Sequence, residues 1–172
     1  PIICTYSGGK DSDVLLDLFI RSNVEFEVHN SHTTVDAPDT VYYIREKFRG
    51  LKEKGIPYKD FGTDSEESVN YGPYAYRVAQ SIVSGECEKG VLCCGTGIGI
   101  SIAANKVDGI RCALCSEPYS AKLTRMHNDS NVLALGARVI GPELARMIAQ
   151  TWLETPFEGG RHQRRVDLLT AL

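Results

Sequence analysis

Gly90-Val91-Leu92-Cys93-Cys94-Gly95-Thr96-Gly97-Ile98-Gly99-Ile100-Ser101 runs from an apolar stretch through two cysteines into a glycine-rich turn and on into helix-forming sequence. A strand that ends on a cysteine and turns straight into a helix sets a thiol beside backbone N–H groups that lack a partner inside the helix. Glycine lets the backbone come close to a ligand, and a helix N-terminus favours negative charge and lowers the pKa of a nearby thiol. The segment therefore reads as strand, anion-binding turn and helix, with room for a phosphate or an enediolate. A dinucleotide-binding turn is the competing reading. The third glycine falls one position early for GxGxxG, while Glu117 stands at a suitable distance for a ribose contact.

Outward from this segment, short apolar runs alternate with helix-length amphipathic ones. Strands are predicted near 2–6, 25–30, 57–61, 89–94, 110–115 and 132–135, and helices near 11–22, 39–54, 73–84, 98–106, 118–127 and 142–153. The alternation predicts a single α/β domain over residues 1–172: a doubly wound, Rossmann-like parallel sheet in a three-layer α/β/α arrangement. Val132-Leu133-Ala134-Leu135 is continuously apolar, as a strand covered on both faces should be. Ligands of such sheets bind outside the carboxyl ends of the strands, where both glycine-rich loops, at 7–9 and 95–99, fall. After Thr155-Pro156-Phe157 the chain closes in a C-terminal helical tail. Its Arg161, Arg164 and Arg165 offer cations to an anionic ligand or to another subunit, unless they only form a solvated patch.

The chain's 42% hydrophobic content is enough for a core in one domain. Its 19 basic and 22 acidic residues leave a net charge of −3, with no long basic run, which argues against a nucleic-acid partner. No apolar stretch reaches the ~18 residues that span a bilayer, and the start lacks the basic-then-apolar pattern of a signal peptide, so a cytoplasmic protein without membrane partners is expected. The chain opens on Pro1, which reads as a trimmed terminus or a fragment. The six cysteines sit mostly within predicted strands and read as thiols in a reducing compartment. Cys112 and Cys115 have CxxC spacing, but strand positions three apart face opposite ways, which disfavours a metal or redox pair.

Separated motifs then converge: Asp60-Phe61-Gly62-Thr63, Cys94 through Lys106, His127-Asn128-Asp129, and Phe157 through Val166. On these, the chain from about Arg49 to the C-terminus closely resembles the type B ribose-5-phosphate isomerases, with galactose-6-phosphate isomerases as more distant relatives. Tyr71 and Tyr74 match that pattern, whereas Asn70 and Gly72-Pro73 stand where the family has Asp and Pro-Asp. The first 48 residues follow another pattern. Tyr6-Ser7-Gly8-Gly9-Lys10-Asp11-Ser12, an amphipathic helix and His29 through Pro38 resemble the start of a PP-loop enzyme of the phosphoadenosine phosphosulfate reductase group. That makes Ser7, Gly8, Gly9, Lys10 and Ser12 a second candidate phosphate loop. A junction near residues 46–52 results, and a natural fusion, an engineered chimera or an assembly artefact would all read this way. Type B enzymes begin with a strand ending in an Asp-His pair, a dipeptide absent from this front segment; His32 is a candidate to fill the histidine's place.

Interconverting an aldose and a ketose phosphate requires ring opening, proton transfer between C2 and C1, stabilisation of a cis-enediolate and a grip on the phosphate. The resemblance implies Cys94 as the base and Thr96 as a proton relay or substrate hydrogen bond. It implies backbone N–H groups from Gly95 through Ser101 (Gly95, Gly97, Ile98, Gly99 and Ser101) as the anion hole. It makes His127 the ring-opening acid/base, Asn128 and Tyr71 substrate contacts, and Arg161 and Arg165 the phosphate ligands. Arg164 is expected to face solvent and Cys93 to face the core. The implied substrate is a phosphorylated sugar, ribose 5-phosphate going to ribulose 5-phosphate, with no metal and no cofactor. The site is implied to be shared across a homodimer or a dimer of dimers. Two alternatives from other classes are a PP-loop protein binding ATP or a sulfonucleotide, and a folded but catalytically silent hybrid.

Overall fold

The structure, a computed structural model, describes residues 69–171 (the side chains of 142, 143 and 146 excepted), Lys59, Phe61, and the backbones of two strands near the N-terminus. In chain order the described strands are β1 (Ile2–Tyr6), β2 (Phe26–Asn30), β3 (Lys89–Cys94), β4 (Cys112–Leu114) and β5 (Val132–Gly136). The described helices are α1 (Tyr71–Val83), α2 (Ile98–Ala104), α3 (Pro118–Asn128), α4 (Pro142–Glu154) and α5 (Arg161–Thr170). The strands make one parallel sheet in the order β2-β1-β3-β5-β4. Cys4 pairs opposite Val91, so the front segment enters the same sheet as the rest of the chain.

Successive strand residues face opposite ways, and this period builds the layers. Leu92, Cys94, Val132 and Ala134 share one buried cluster with Ala75, Val78 and Ala79 of α1 and Ile100 and Ala104 of α2. Val91, Leu133 and Leu135 are buried on the other side, where α4 meets β5 and α3 packs on α4. Every residue of β5 is buried, as expected for a strand covered on both faces. Trp152 of α4 is fully buried and donates its indole N–H to Ser130 Oγ at 2.7 Å. The tail is helical, as expected, and α5 packs on α3. Among the described residues no helix is long and apolar enough to cross a membrane.

Several boundaries differ from the sequence reading for local reasons. Helix α1 starts at Tyr71 rather than 73 because Asn70 caps it, accepting the Gly72 N–H at 3.0 Å; Pro73 sits in the first turn, where its missing N–H costs nothing. The cap also explains how Asn serves where the family has Asp. Strand β4 is shorter than 110–115 because the Arg111 N–H is taken by Asn131 Oδ1 (2.8 Å) and the Ile110 N–H by the Val107 carbonyl (3.1 Å). The Asn105 side chain bonds the Cys112 backbone in both directions (2.7 and 2.8 Å), occupying an edge that would otherwise be open. Lys59 and Phe61 belong to no strand. The predicted helices at 11–22 and 39–54, the remainder of the strand predicted at 57–61, the loop Ser7 to Ser12, and His32 lie outside the described residues.

Candidate active site

The chain passes from β1 to β2 on one side and then crosses to β3 on the other, so the strand order reverses between β1 and β3. Crevices at such switch points, beyond the strands' carboxyl ends, are where ligands bind in open α/β sheets. Cys94 is the last residue of β3 and stands at that place. It is only 5% exposed, yet it lines a cavity of about 450 Å³ together with Asn70, Tyr71, Gly95, Thr96, Gly99 and Arg138. The Gly97 N–H donates to Cys94 Sγ at 3.1 Å. Cys93 faces the opposite side of the sheet; it is half-buried rather than the core residue expected.

Backbone bonds hold the loop. The Cys94 and Gly95 carbonyls accept the N–H groups of Ala137 and Arg138 at 3.0 Å, tying the end of β3 to the turn after β5. Gly97 has φ +74°, which glycine alone adopts freely, and a Cβ there would come within 2.9 Å of the Leu135 carbonyl carbon. Tyr71 lies so close to Gly99 that a Cβ at 99 would collide with its ring. The exposed Thr96 accepts the Ile98 N–H on Oγ1 (3.4 Å) and keeps its own hydroxyl proton to donate. Ser101 departs from expectation: it is buried, its hydroxyl donates to the Ile98 carbonyl (2.8 Å) and its N–H to the Gly97 carbonyl (3.2 Å), so the helix takes up both hydrogens. Within the first turn of α2, Gly99 and Ile100 have N–H groups with no acceptor inside the helix, which suits the anion-binding role.

His127 and Asn128 close α3, as expected. They do not line the Cys94 cavity, and neither do Arg161 and Arg165. His127 instead stacks on His162 with centroids 4.1 Å apart and planes 7° from parallel, and Glu158 lies 3.9 Å from its Nε2. Arg161, Arg164 and Arg165 are exposed on α5, with Arg161 Nε 3.3 Å from His162 Nε2. Asn128 borders a different cavity, about 360 Å³, beside Asn105, Arg111 and Thr124. The donor atoms of His127, Glu158 and His162 lie within 4.8 Å of one another. Parallel rings 4.1 Å apart, however, cannot both direct an in-plane nitrogen lone pair at one ion, so the group does not fit a shared metal.

Asp129, in the left-handed region with φ 46°, anchors the turn that carries His127 and Asn128. It accepts Arg125 Nη1 (2.8 Å) and Arg111 Nη2 (3.0 Å), while Arg111 Nε donates to the carbonyls of Asn128 (3.0 Å) and Asp129 (2.9 Å). Arg125 is 7% exposed and also lies over the Trp152 ring. Glu117 caps α3 through the N–H groups of Tyr119 (2.6 Å) and Ser120 (2.8 Å), and Ser120 holds its carboxyl below the ordinary range. That use of Glu117 removes the ribose contact on which the dinucleotide reading depended. Burial pushes the Cys112 thiol up strongly and the Cys115 thiol up to about 12, as inert buried thiols behave.

Comparison with known proteins agrees with this fold. The Ribose/Galactose Isomerase family matches residues 30–169. The chain belongs to that family. Ribose-5-phosphate isomerase B of Escherichia coli (strain K12) is 57% identical over 122 residues, 71% of this chain and 82% of the relative. A solved ribose-5-phosphate isomerase B from Clostridium thermocellum superposes with a TM-score of 0.68 at 50% identity, covering 76% of this chain and 88% of that one. The Mycoplasma genitalium enzyme, solved with bound ribulose-5-phosphate, superposes at TM-score 0.68 and 28% identity over 99% of this chain and 93% of that one. The family match begins at Asn30, the last residue of β2, ahead of the boundary expected near Arg49.

Arg138, His162, Glu158 and Asp129 were missed as site residues. Arg138 had a signal: it follows the end of a central strand, where ligands of such sheets gather. His162 and Glu158 become visible only once α5 is laid against α3, and Asp129 only through its bonds to Arg111 and Arg125.

Proposed function

We propose that this isomerase-family chain interconverts ribose 5-phosphate and ribulose 5-phosphate through a cis-enediolate, with Cys94 as the base. The observation that carries the reading is Cys94 Sγ on the wall of the switch-point cavity under the Gly97 N–H, with Tyr71, Thr96 and Arg138 around the same space. In the open-chain aldose the C2–H is acidified by the C1 aldehyde. The Cys94 thiolate takes that proton and returns it to C1, while the charge passes to the enediolate oxygens. Backbone N–H groups at the start of α2 and the Thr96 hydroxyl meet that charge without reorganising. His127 exchanges protons with the ring oxygen and O1 during ring opening, beside Asn128. Arg161 and Arg165 hold the phosphate as bidentate donors that never lose their charge.

Because the Cys94 cavity and the His127–Arg161 group are lined separately within one chain, the active unit is read as a homodimer or dimer of dimers in which two chains complete each site. Exposed Ile98 (53%), Leu114 (40%) and Val139 (59%) beside the Cys94 loop support that contact. Size-exclusion chromatography showing a lone active monomer would remove this part. Cys94, Cys112 and Cys115 carry no disulfide among the described residues, which suits a cytoplasmic setting. The test is the rate of ribulose 5-phosphate formation. We expect turnover by the unaltered chain and loss of at least about a hundredfold in Cys94→Ala; comparable rates in the two proteins would refute the assignment.

A further inference from the structure

Lys89 opens β3 and reaches toward α4, where its Nζ stands 6.0 Å from the centre of the fully buried Trp152 ring. The Arg125 guanidinium lies 5.7 Å from the centre of the same ring, so two cations share one aromatic side chain. Counter-charge is short at this place. Asp129 is taken up by Arg125 and Arg111, and the carboxylate that Lys89 meets among the described residues is that of Glu88, 3.9 Å away and 72% exposed. Arg125 is buried and its Nε has no hydrogen-bond partner, which leaves a donor without an acceptor. The Lys89 side chain is 16% exposed, so solvent still reaches it.

We propose that the Lys89 ε-amine is a carbamylation site, which adds carbon dioxide to give a lysine carbamate beside the Arg125 guanidinium. The lone pair of the neutral amine forms the N–C bond, one C–O π bond breaks with its electrons passing to oxygen, and a proton leaves the nitrogen for water. Nothing is oxidised or reduced. The reaction needs a neutral amine and a place that welcomes the anion. Burial first, and then the Arg125 charge, hold Lys89 below the ordinary lysine range, against a smaller opposing pull from Glu88 and Asp129. That raises the share of neutral amine at a given pH. Carbamylation then replaces a positive charge near Arg125 with a negative one, and its oxygens are charged acceptors where Arg125 has a donor to spare.

The test needs no turnover and so stands apart from the isomerase reading. The unaltered chain is equilibrated with isotopically labelled bicarbonate, which supplies carbon dioxide, and the carbamate carbon is followed by NMR. A trialkyloxonium salt then traps the carbamate as a stable ester, located by peptide mass spectrometry. We expect at least about tenfold more ester on Lys89 than on the exposed Lys106, since each unit by which an amine's pKa falls raises its neutral fraction about tenfold. Lys89→Arg keeps a cation near Trp152 and loses the carbamate signal of this site, whereas any signal from the α-amino group persists. Glu88→Gln removes the exposed carboxylate that favours the ammonium and repels the product, so the ester on Lys89 increases. Thermal melts confirm that each variant is folded. Ester on Lys89 no greater than on Lys106, or unchanged or reduced in folded Glu88→Gln, overturns the proposal.

Discussion

Gly97→Ala probes the loop at its most constrained point. With φ at +74° an alanine must adopt the left-handed region, at roughly 1–2 kcal/mol. Its Cβ would also lie 2.9 and 3.0 Å from the carbonyl carbon and oxygen of Leu135, main-chain atoms of a buried central strand that cannot swing aside like a side-chain tip. Overpacking of this kind costs about 1–3 kcal/mol. Together they predict a loss of about 2–5 kcal/mol and, at ~2–4 °C per kcal/mol for a chain of this size, a fall in Tm of roughly 4–20 °C. Gly141→Ala is the matched control: φ is −78° and nothing lies within 4 Å of the added atom, so its Tm should stay within a few degrees of the parent. Activity is measured well below both melting temperatures. It should fall in Gly97→Ala beyond the unfolded fraction, because relieving the clash draws the Gly97 N–H from Cys94 Sγ. A Gly97→Ala protein that melts with the parent and turns over at the parental rate would refute the argument.

Asp129→Ala removes the carboxylate shared by Arg111 and Arg125 and leaves a buried guanidinium short of its counter-ion. The expected loss is about 2–3 kcal/mol in urea unfolding, below the usual cost of breaking a buried pair because Asp129 is 35% exposed. Acid should destabilise the protein through His162. Its folded pKa is held below the ordinary 6.5, first by burial and then by His127, so the unfolded chain binds more protons; stability present above 6.5 declines as pH falls through that value toward the folded one. Urea midpoints on either side of 6.5 check this, and His162→Phe should flatten the dependence. Arg138→Ala takes a cation from the wall of the cavity, and kcat/KM should fall roughly ten- to a hundredfold, largely through KM, in steady-state assays.

The layers and the placement of Cys94 were legible because they follow from short periods. The continuous apolar run of Val132 to Leu135 announces a strand buried on both faces, and Cys94 before three closely spaced glycines announces the end of a strand at a ligand crevice. Boundaries were less legible where a side chain intercepts the backbone, as Asn131 does at Arg111 and Asn70 at Gly72. The His127–His162–Glu158 group was not legible at all. It joins residues more than thirty positions apart through the packing of two helices, and no spacing within either helix encodes that contact. Ser101 shows the opposite error, since its place in the motif suggested an anion donor while the helix consumes its hydrogens.

The most direct test is to incubate ribose 5-phosphate in heavy water with the unaltered chain and with Cys94→Ala, following ribulose 5-phosphate and its C1 deuterium by NMR. A base that takes the C2 proton, exchanges it with solvent and returns it to C1 predicts ribulose 5-phosphate bearing C1 deuterium from the parent chain and neither product nor label from the variant. Product and label formed by Cys94→Ala at the parental rate would contradict the account.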